Sequence, residues 1–101
     1  MKKILLLSTA ILLMLPQFAF AQTEVDYFEQ GIAKYELGDY RGAIADFNKA
    51  IKIDPDYAMA YYDRGLSKLL LGLKDSGCLD LSKAGELGYA DAYDAIREYC
   101  N

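Results

Sequence analysis

Cys78 and Cys100 are the only two cysteines in the chain, and they are the covalent chemistry it offers. No C-x-x-C spacing joins them, so a thioredoxin-like redox role lacks its motif. Histidine is absent altogether, which removes the commonest general base and metal ligand. The 15 acidic residues are spread along turns and polar faces and do not meet as a pair. The glycines follow no GxGxxG or Walker spacing, and no serine or cysteine has a base at hand to activate it. The chain therefore reads as non-catalytic, with no cofactor and no metal site implied. What remains is the chemistry of surfaces, and that depends on the elements that carry the side chains.

Those elements begin after a leader. Lys2 and Lys3 form a basic start, Ile4 to Leu15 is an apolar run of 12 residues, and Ala19-Phe20-Ala21 supplies a small-x-small cleavage pattern. A run of that length falls short of the roughly 20 residues a membrane-spanning helix needs. The expectation is a cleaved signal peptide over residues 1–21, a mature chain starting at Gln22, and export to the periplasm or the medium. An oxidising compartment of that kind permits disulfide formation. The remaining 80 residues make one small domain of modest intrinsic stability. Losing Lys2 and Lys3 takes the formal charge from −4 to −6. An acidic chain without a basic cluster is a poor ligand for nucleic acid, which is held by Lys and Arg on phosphates, so no nucleic-acid partner is expected.

The rest of the chain says one thing twice. Tyr27 and Tyr61, Gly31 and Gly65, Lys34 and Lys68, Leu37 and Leu71, and Gly38 and Gly72 are identical pairs 34 positions apart. Asp46 and Asp80, Lys49 and Lys83, and Ala50 and Ala84 complete the set. These are 8 identities in the 32 pairs from Glu24/Ala58 to Pro55/Tyr89, where average composition gives roughly two. Helical periodicity and stop signals divide the chain further. A first helix is expected from Thr23 or Glu24 to Leu37, with Gly38 as its left-handed cap and Asp39 capping the next. The second runs from Tyr40 to Ile53 and ends at Asp54-Pro55. A third is expected over Tyr57–Leu71, a fourth over Lys74–Leu87 with Gly88 as its cap, and a fifth over Ala90–Tyr99.

The period, the tyrosines and the small residues at the helix crossings resemble the tetratricopeptide (TPR) repeat. Tyr27, Gly31, Ala43, Phe47, Ala50 and Pro55 stand at the family's positions in the first repeat. Tyr61, Gly65, Gly77, Leu81 and Ala84 do so in the second. Lys34 and Lys68 depart from the aromatic residue often found there, Gly77 replaces an alanine, and Tyr89 replaces the second proline. The junction LSKAGELGYADAY is also similar to the Sel-one-like repeat, a relative with longer spacing. The resemblance implies an all-α solenoid of antiparallel helix pairs: repeat one over about 24–57, repeat two over about 58–89, and a capping helix over about 90–100.

Three further expectations follow from the resemblance. Antiparallel neighbours would set Cys78, at the start of the fourth helix, beside Cys100, at the end of the fifth. Pairing stands against two separate thiols with Cys78 in the core. Arg64 would reach Asp46 or Asp54 on the preceding helix, as a structural ion pair or else as an anchor for a partner's carboxylate. The family's partner-binding surface is the concave side lined by the first helix of each repeat. It corresponds to Val25, Phe28, Ile32 and Tyr35, with Glu36, in repeat one, and to Met59, Tyr62, Leu66, Leu69 and Leu70 in repeat two. Phe28, Glu29, Ile32 and Asp63 occupy places comparable to the carboxylate clamp of chaperone-binding members, so that clamp is missing and apolar or basic segments fit better. The implied function is protein–protein interaction as an adaptor or assembly factor. The alternative is a self-associating module with the same face as a homodimer interface, or burial of that face by the chain's own N-terminal residues.

Overall fold

The computed structural model describes residues 21–101, and apart from Ala21 the expected leader lies outside them. The described chain is all-α. It consists of α1 (Glu24–Glu36), α2 (Tyr40–Ile53), α3 (Ala58–Leu70), α4 (Lys74–Glu86) and α5 (Asp91–Tyr99), joined by short turns. Thr23 caps α1 in a reciprocal box with Asp26, and Asp39 caps α2 by accepting a 3.0 Å hydrogen bond from the Gly42 amide. The turns after α1 and α3 use one device. Gly38 and Gly72 both sit at φ +81°, and the next amide reaches back to a carbonyl of the last turn, Asp39 to Lys34 and Leu73 to Lys68, each at 2.9 Å.

The residues that meet across each helix pair fix its direction. Gly65 abuts Leu81 while Leu69 abuts Gly77, so α3 and α4 run antiparallel. Cys78 with Cys100, and Gly85 with Tyr93, give the same direction for α4 and α5. A Cβ added at Gly31 would lie 2.5 Å from the Phe47 ring, and one at Gly65 would lie 2.9 Å from the Gly77 carbonyl. Close packing therefore accounts for glycine in the middle of both helices, where its lower helix propensity costs about 1 kcal/mol. Phe28, Ala43, Phe47, Ala50 and Ala60 form the core between the first pair and α3. Leu81 and Ala84 are its buried counterparts in the second pair, and Ala92 and Ala95 bury one side of α5.

The two lysines that depart from the aromatic pattern have a structural role. Lys34 Nζ lies 2.8 Å from Asp46 Oδ2, and Lys68 Nζ lies 2.8 Å from Asp80 Oδ2, so one ion pair is built twice at the repeat spacing. Asp46 and Asp80 are both buried, and a buried carboxylate without a cation would be strongly unfavourable. The resemblance implies that Arg64 reaches Asp46 or Asp54, and it does not. Its guanidinium donates to both carboxylate oxygens of Asp80, at 2.8 and 2.7 Å, and to Asn48 Oδ1 at 2.9 Å. The reason is register: Asp46 is already held by Lys34, while Asp80 lies on the helix paired with Arg64's own.

Candidate functional site

The first helix of each pair presents one stripe to its partner helix and a second stripe to the same side of the molecule. Along α3 the second stripe carries Met59, Tyr62, Leu66, Leu69 and Leu70. With Tyr35 of α1 and Tyr99 of α5, four of these, Tyr62, Leu66, Leu69 and Leu70, line a cleft of about 290 Å³. Five of the nine residues expected at a partner surface thus come together there. Val25 and Met59 lie outside the cleft and remain exposed on their helices. Ile32 is half-buried against the core.

Phe28 is a correction. It is only 8% exposed, with its ring 5.7 Å from Phe47 and stacked on Tyr57 at 5.0 Å, so it belongs to the core. Periodicity alone cannot tell an inner-face aromatic residue from one that the following helix covers, and here the α2–α3 turn brings Tyr57 over it. Tyr99 is a residue missed. It is half exposed, forms one wall of the cleft, and is absent from the surface expected from the sequence. Its signal in the sequence is its place beside Cys100, since tying that cysteine fixes the helix end that carries Tyr99. The disulfide itself is present: Cys78 and Cys100 are bonded, with Cα atoms 5.9 Å apart and a sequence separation of 22.

The cleft and its margin are aromatic and acidic. Tyr62 packs edge-on against Tyr89 at 4.8 Å, and Tyr35 edge-on against Tyr40 at 5.4 Å, so each ring is braced by a neighbour. Burial raises the hydroxyl pKa of Tyr35, Tyr57, Tyr62 and Tyr89, and the nearby Asp63 raises all four further. Asp63 lies one turn before Leu66 on α3, and burial lifts its carboxyl from 3.8 to about 6. Among the described residues its carboxylate makes no ion pair. Among the described residues that line the cleft, no nucleophile stands beside a base.

A family model described as the TPR repeat matches residues 27–72, which span both helices of the first pair and α3. The matched stretch of the chain carries the tetratricopeptide repeat. Among its relatives, a tetratricopeptide repeat protein 36 homolog of Nematostella vectensis is 42% identical over 64 residues, covering 63% of this chain and 35% of that protein. A STIP1 homolog of Dictyostelium discoideum is 34% identical over 67 residues, covering 66% of this chain and 12% of the relative. The serine/threonine-protein phosphatase T of Aspergillus oryzae is 37% identical across 54% of this chain and 15% of its own length. The chain thus spans about a third of the first relative and far less of the other two, and the phosphatase likeness is confined to the repeat region. Proteins of this family are generally non-catalytic, and their repeats mediate protein–protein interaction.

Proposed function

We propose that the chain is an exported adaptor or assembly factor that binds an apolar or basic segment of a partner protein in the cleft between α1, α3 and α5. The observation that carries this reading is the cleft itself, where three tyrosines and three leucines from three helices meet on one side. A concave site that is mostly apolar, with a few polar groups at its edge, is the ordinary form of a peptide-binding surface. Export rests on the leader pattern of residues 1–21, and the Cys78–Cys100 bond is the covalent state that an oxidising compartment favours.

Recovery of bound proteins on the immobilised chain, compared with its Tyr62→Ala and Leu66→Glu variants, tests the cleft. Loss of the same proteins in both variants, with circular dichroism unchanged, is the expected outcome; equal recovery rejects the assignment. Sedimentation at several concentrations separates this reading from self-association, because a homodimer through the same face predicts a dimer at micromolar concentration. N-terminal sequencing of exported material should begin at Gln22, and an intact Met1 counts against cleavage of the leader.

A further inference from the structure

The tyrosines of this protein fall into two groups that differ in what sits over their rings. On the stripe facing the partner helix, each repeat tyrosine already holds a cation. Lys49 lies 5.4 Å from the centre of Tyr27, and Arg64 lies 5.3 Å from the centre of Tyr61. On the other side, no cation lies over Tyr35, Tyr57, Tyr62 or Tyr89 among the described residues. The charges that act on these four are all acidic: Asp63 on each, Glu24, Glu29 and Asp54 on Tyr57, and Asp91 on Tyr62 and Tyr89. Asp63 itself is partly buried on α3, on the helix stripe that also carries Met59, Leu66 and Leu70, and among the described residues its carboxylate makes no ion pair.

We infer that the cleft receives a lysine or arginine side chain from an extended segment of its partner. The cationic head meets Asp63 beside the rings of Tyr35 and Tyr62, and apolar neighbours in the segment lie on Leu66, Leu69 and Leu70. The chemistry is complementary on each count. Ring faces attract cations, most strongly where water is excluded. A carboxylate that burial has stripped of solvent gains most from a charge-assisted hydrogen bond. The long aliphatic stem of Lys or Arg suits an entrance lined by leucine. The packing of Tyr62 on Tyr89 and of Tyr35 on Tyr40 holds these rings beforehand, so little side-chain freedom is lost on binding.

This inference rests on the cleft being the partner site, and the test separates the two. The purified chain is titrated by calorimetry with the capped peptide acetyl-Ala-Leu-Arg-Leu-Ala-amide and with analogues carrying norleucine or glutamate at the centre. The arginine peptide should bind at least about tenfold more tightly than the norleucine peptide, with the glutamate peptide weakest. Asp63→Asn should abolish that preference while leaving the norleucine affinity unchanged. Equal binding of the arginine and norleucine peptides, unaffected by Asp63→Asn but lost in Leu66→Glu, overturns the cation assignment and leaves the cleft standing. Failure of every peptide to bind at millimolar concentration, or binding that Leu66→Glu leaves unchanged, removes the cleft and this inference together. Concentration-dependent dimerisation that shifts the ring signals of Tyr35 and Tyr62 in NMR makes a second copy the occupant and overturns it as well.

Discussion

Arg64 grips Asp80 through two parallel hydrogen bonds, Nε to Oδ2 at 2.8 Å and a terminal nitrogen to Oδ1 at 2.7 Å, and Lys68 shares the same carboxylate at 2.8 Å. This triad ties α3 to α4 at a point where Asp80 is almost without solvent. Removing the acid strands two cations on one partly buried surface. Asp80→Ala should therefore cost about 3 kcal/mol in urea unfolding, the range for breaking one side of a buried pair. In a double-mutant cycle Arg64→Ala and Asp80→Ala should couple strongly. Arg64→Ala and Asp46→Ala should add within about 0.5 kcal/mol, because they belong to separate pairs.

The cleft depends on a covalent bond outside it. Tyr99 precedes Cys100, whose disulfide pins the end of α5 to the first half of α4. Reduction frees a loop with a sequence separation of 22 and should lower stability by about 3 kcal/mol in the chain-entropy account. Urea unfolding with and without a phosphine reductant measures the loss, and the double variant Cys78→Ala, Cys100→Ala should match the reduced protein and no longer respond to reductant. The Tyr99 ring resonances should shift more than those of Tyr27, which lies in the first pair.

Gly77 looks like a weakness in the second repeat, where the first has Ala43. Its surroundings argue otherwise. A Cβ at Gly77 would sit 2.8 Å from the Gly65 carbonyl and 3.0 Å from Leu69 Cγ, so the backbones of α3 and α4 approach too closely for alanine. Gly77→Ala gains helix propensity but overpacks the crossing, and the net effect should be a loss of about 1–2 kcal/mol. A rise in the thermal midpoint would show that the crossing can open without penalty.

The repeat arithmetic explains why so much of the fold could be read from sequence. Helix ends follow local signals, such as the left-handed glycines at 38, 72 and 88, and each helix falls within about one residue of its expected span. Contacts between helices are less legible. Lys34 and Asp46 recur as Lys68 and Asp80, and their pairing recurs with them, yet the family resemblance points Arg64 to Asp46 or Asp54 on the preceding helix, where the structure gives it Asp80. Phe28 shows the same limit, since its burial depends on where Tyr57 swings after the α2–α3 turn. Half of the expected surface lies in the cleft because helical spacing sets the stripe, while the neighbouring helices decide which part of it stays open.

Leu73 occupies the place of Asp39 one repeat on, and its backbone has kept the cap geometry. Leu73 sits at φ −89°, ψ 66°, against φ −86°, ψ 74° for Asp39, but it offers no side-chain acceptor to the first turn of α4 and is about half exposed. Leu73→Asp should restore the missing cap and stabilise the chain by about 1 kcal/mol, while Asp39→Ala should cost a similar amount. Thermal unfolding of the two variants reads both changes, and a neutral Leu73→Asp would mean that the α4 terminus is held by the disulfide in its second turn and not by capping.

Asp63 should make stability and the proposed binding of a cation respond to pH in opposite directions. Its carboxyl is lifted from 3.8 to about 6 by burial, so between those values the folded chain holds a proton that the unfolded chain releases. Stability from this group is complete below about pH 4 and is lost as pH rises toward 6. The loss should reach about 2 kcal/mol after allowing for solvent screening at a partly exposed site. The groups facing it, Tyr35, Tyr57, Tyr62 and Tyr89 with Glu24, Glu29, Asp54 and Asp91 around them, bring no positive charge to offset this. Asp63→Asn should therefore flatten this part of the pH profile and leave the variant more stable than the wild type at pH 7. Urea unfolding at pH 4, 5, 6 and 7 measures the difference between the two proteins and cancels the other carboxylates. A cationic peptide reverses the sign, because it favours the ionised form: its affinity should rise through pH 6 in the wild type and stay level in Asp63→Asn. Parallel pH profiles for the two proteins, in stability and in binding alike, would mean that Asp63 titrates as an ordinary surface carboxylate.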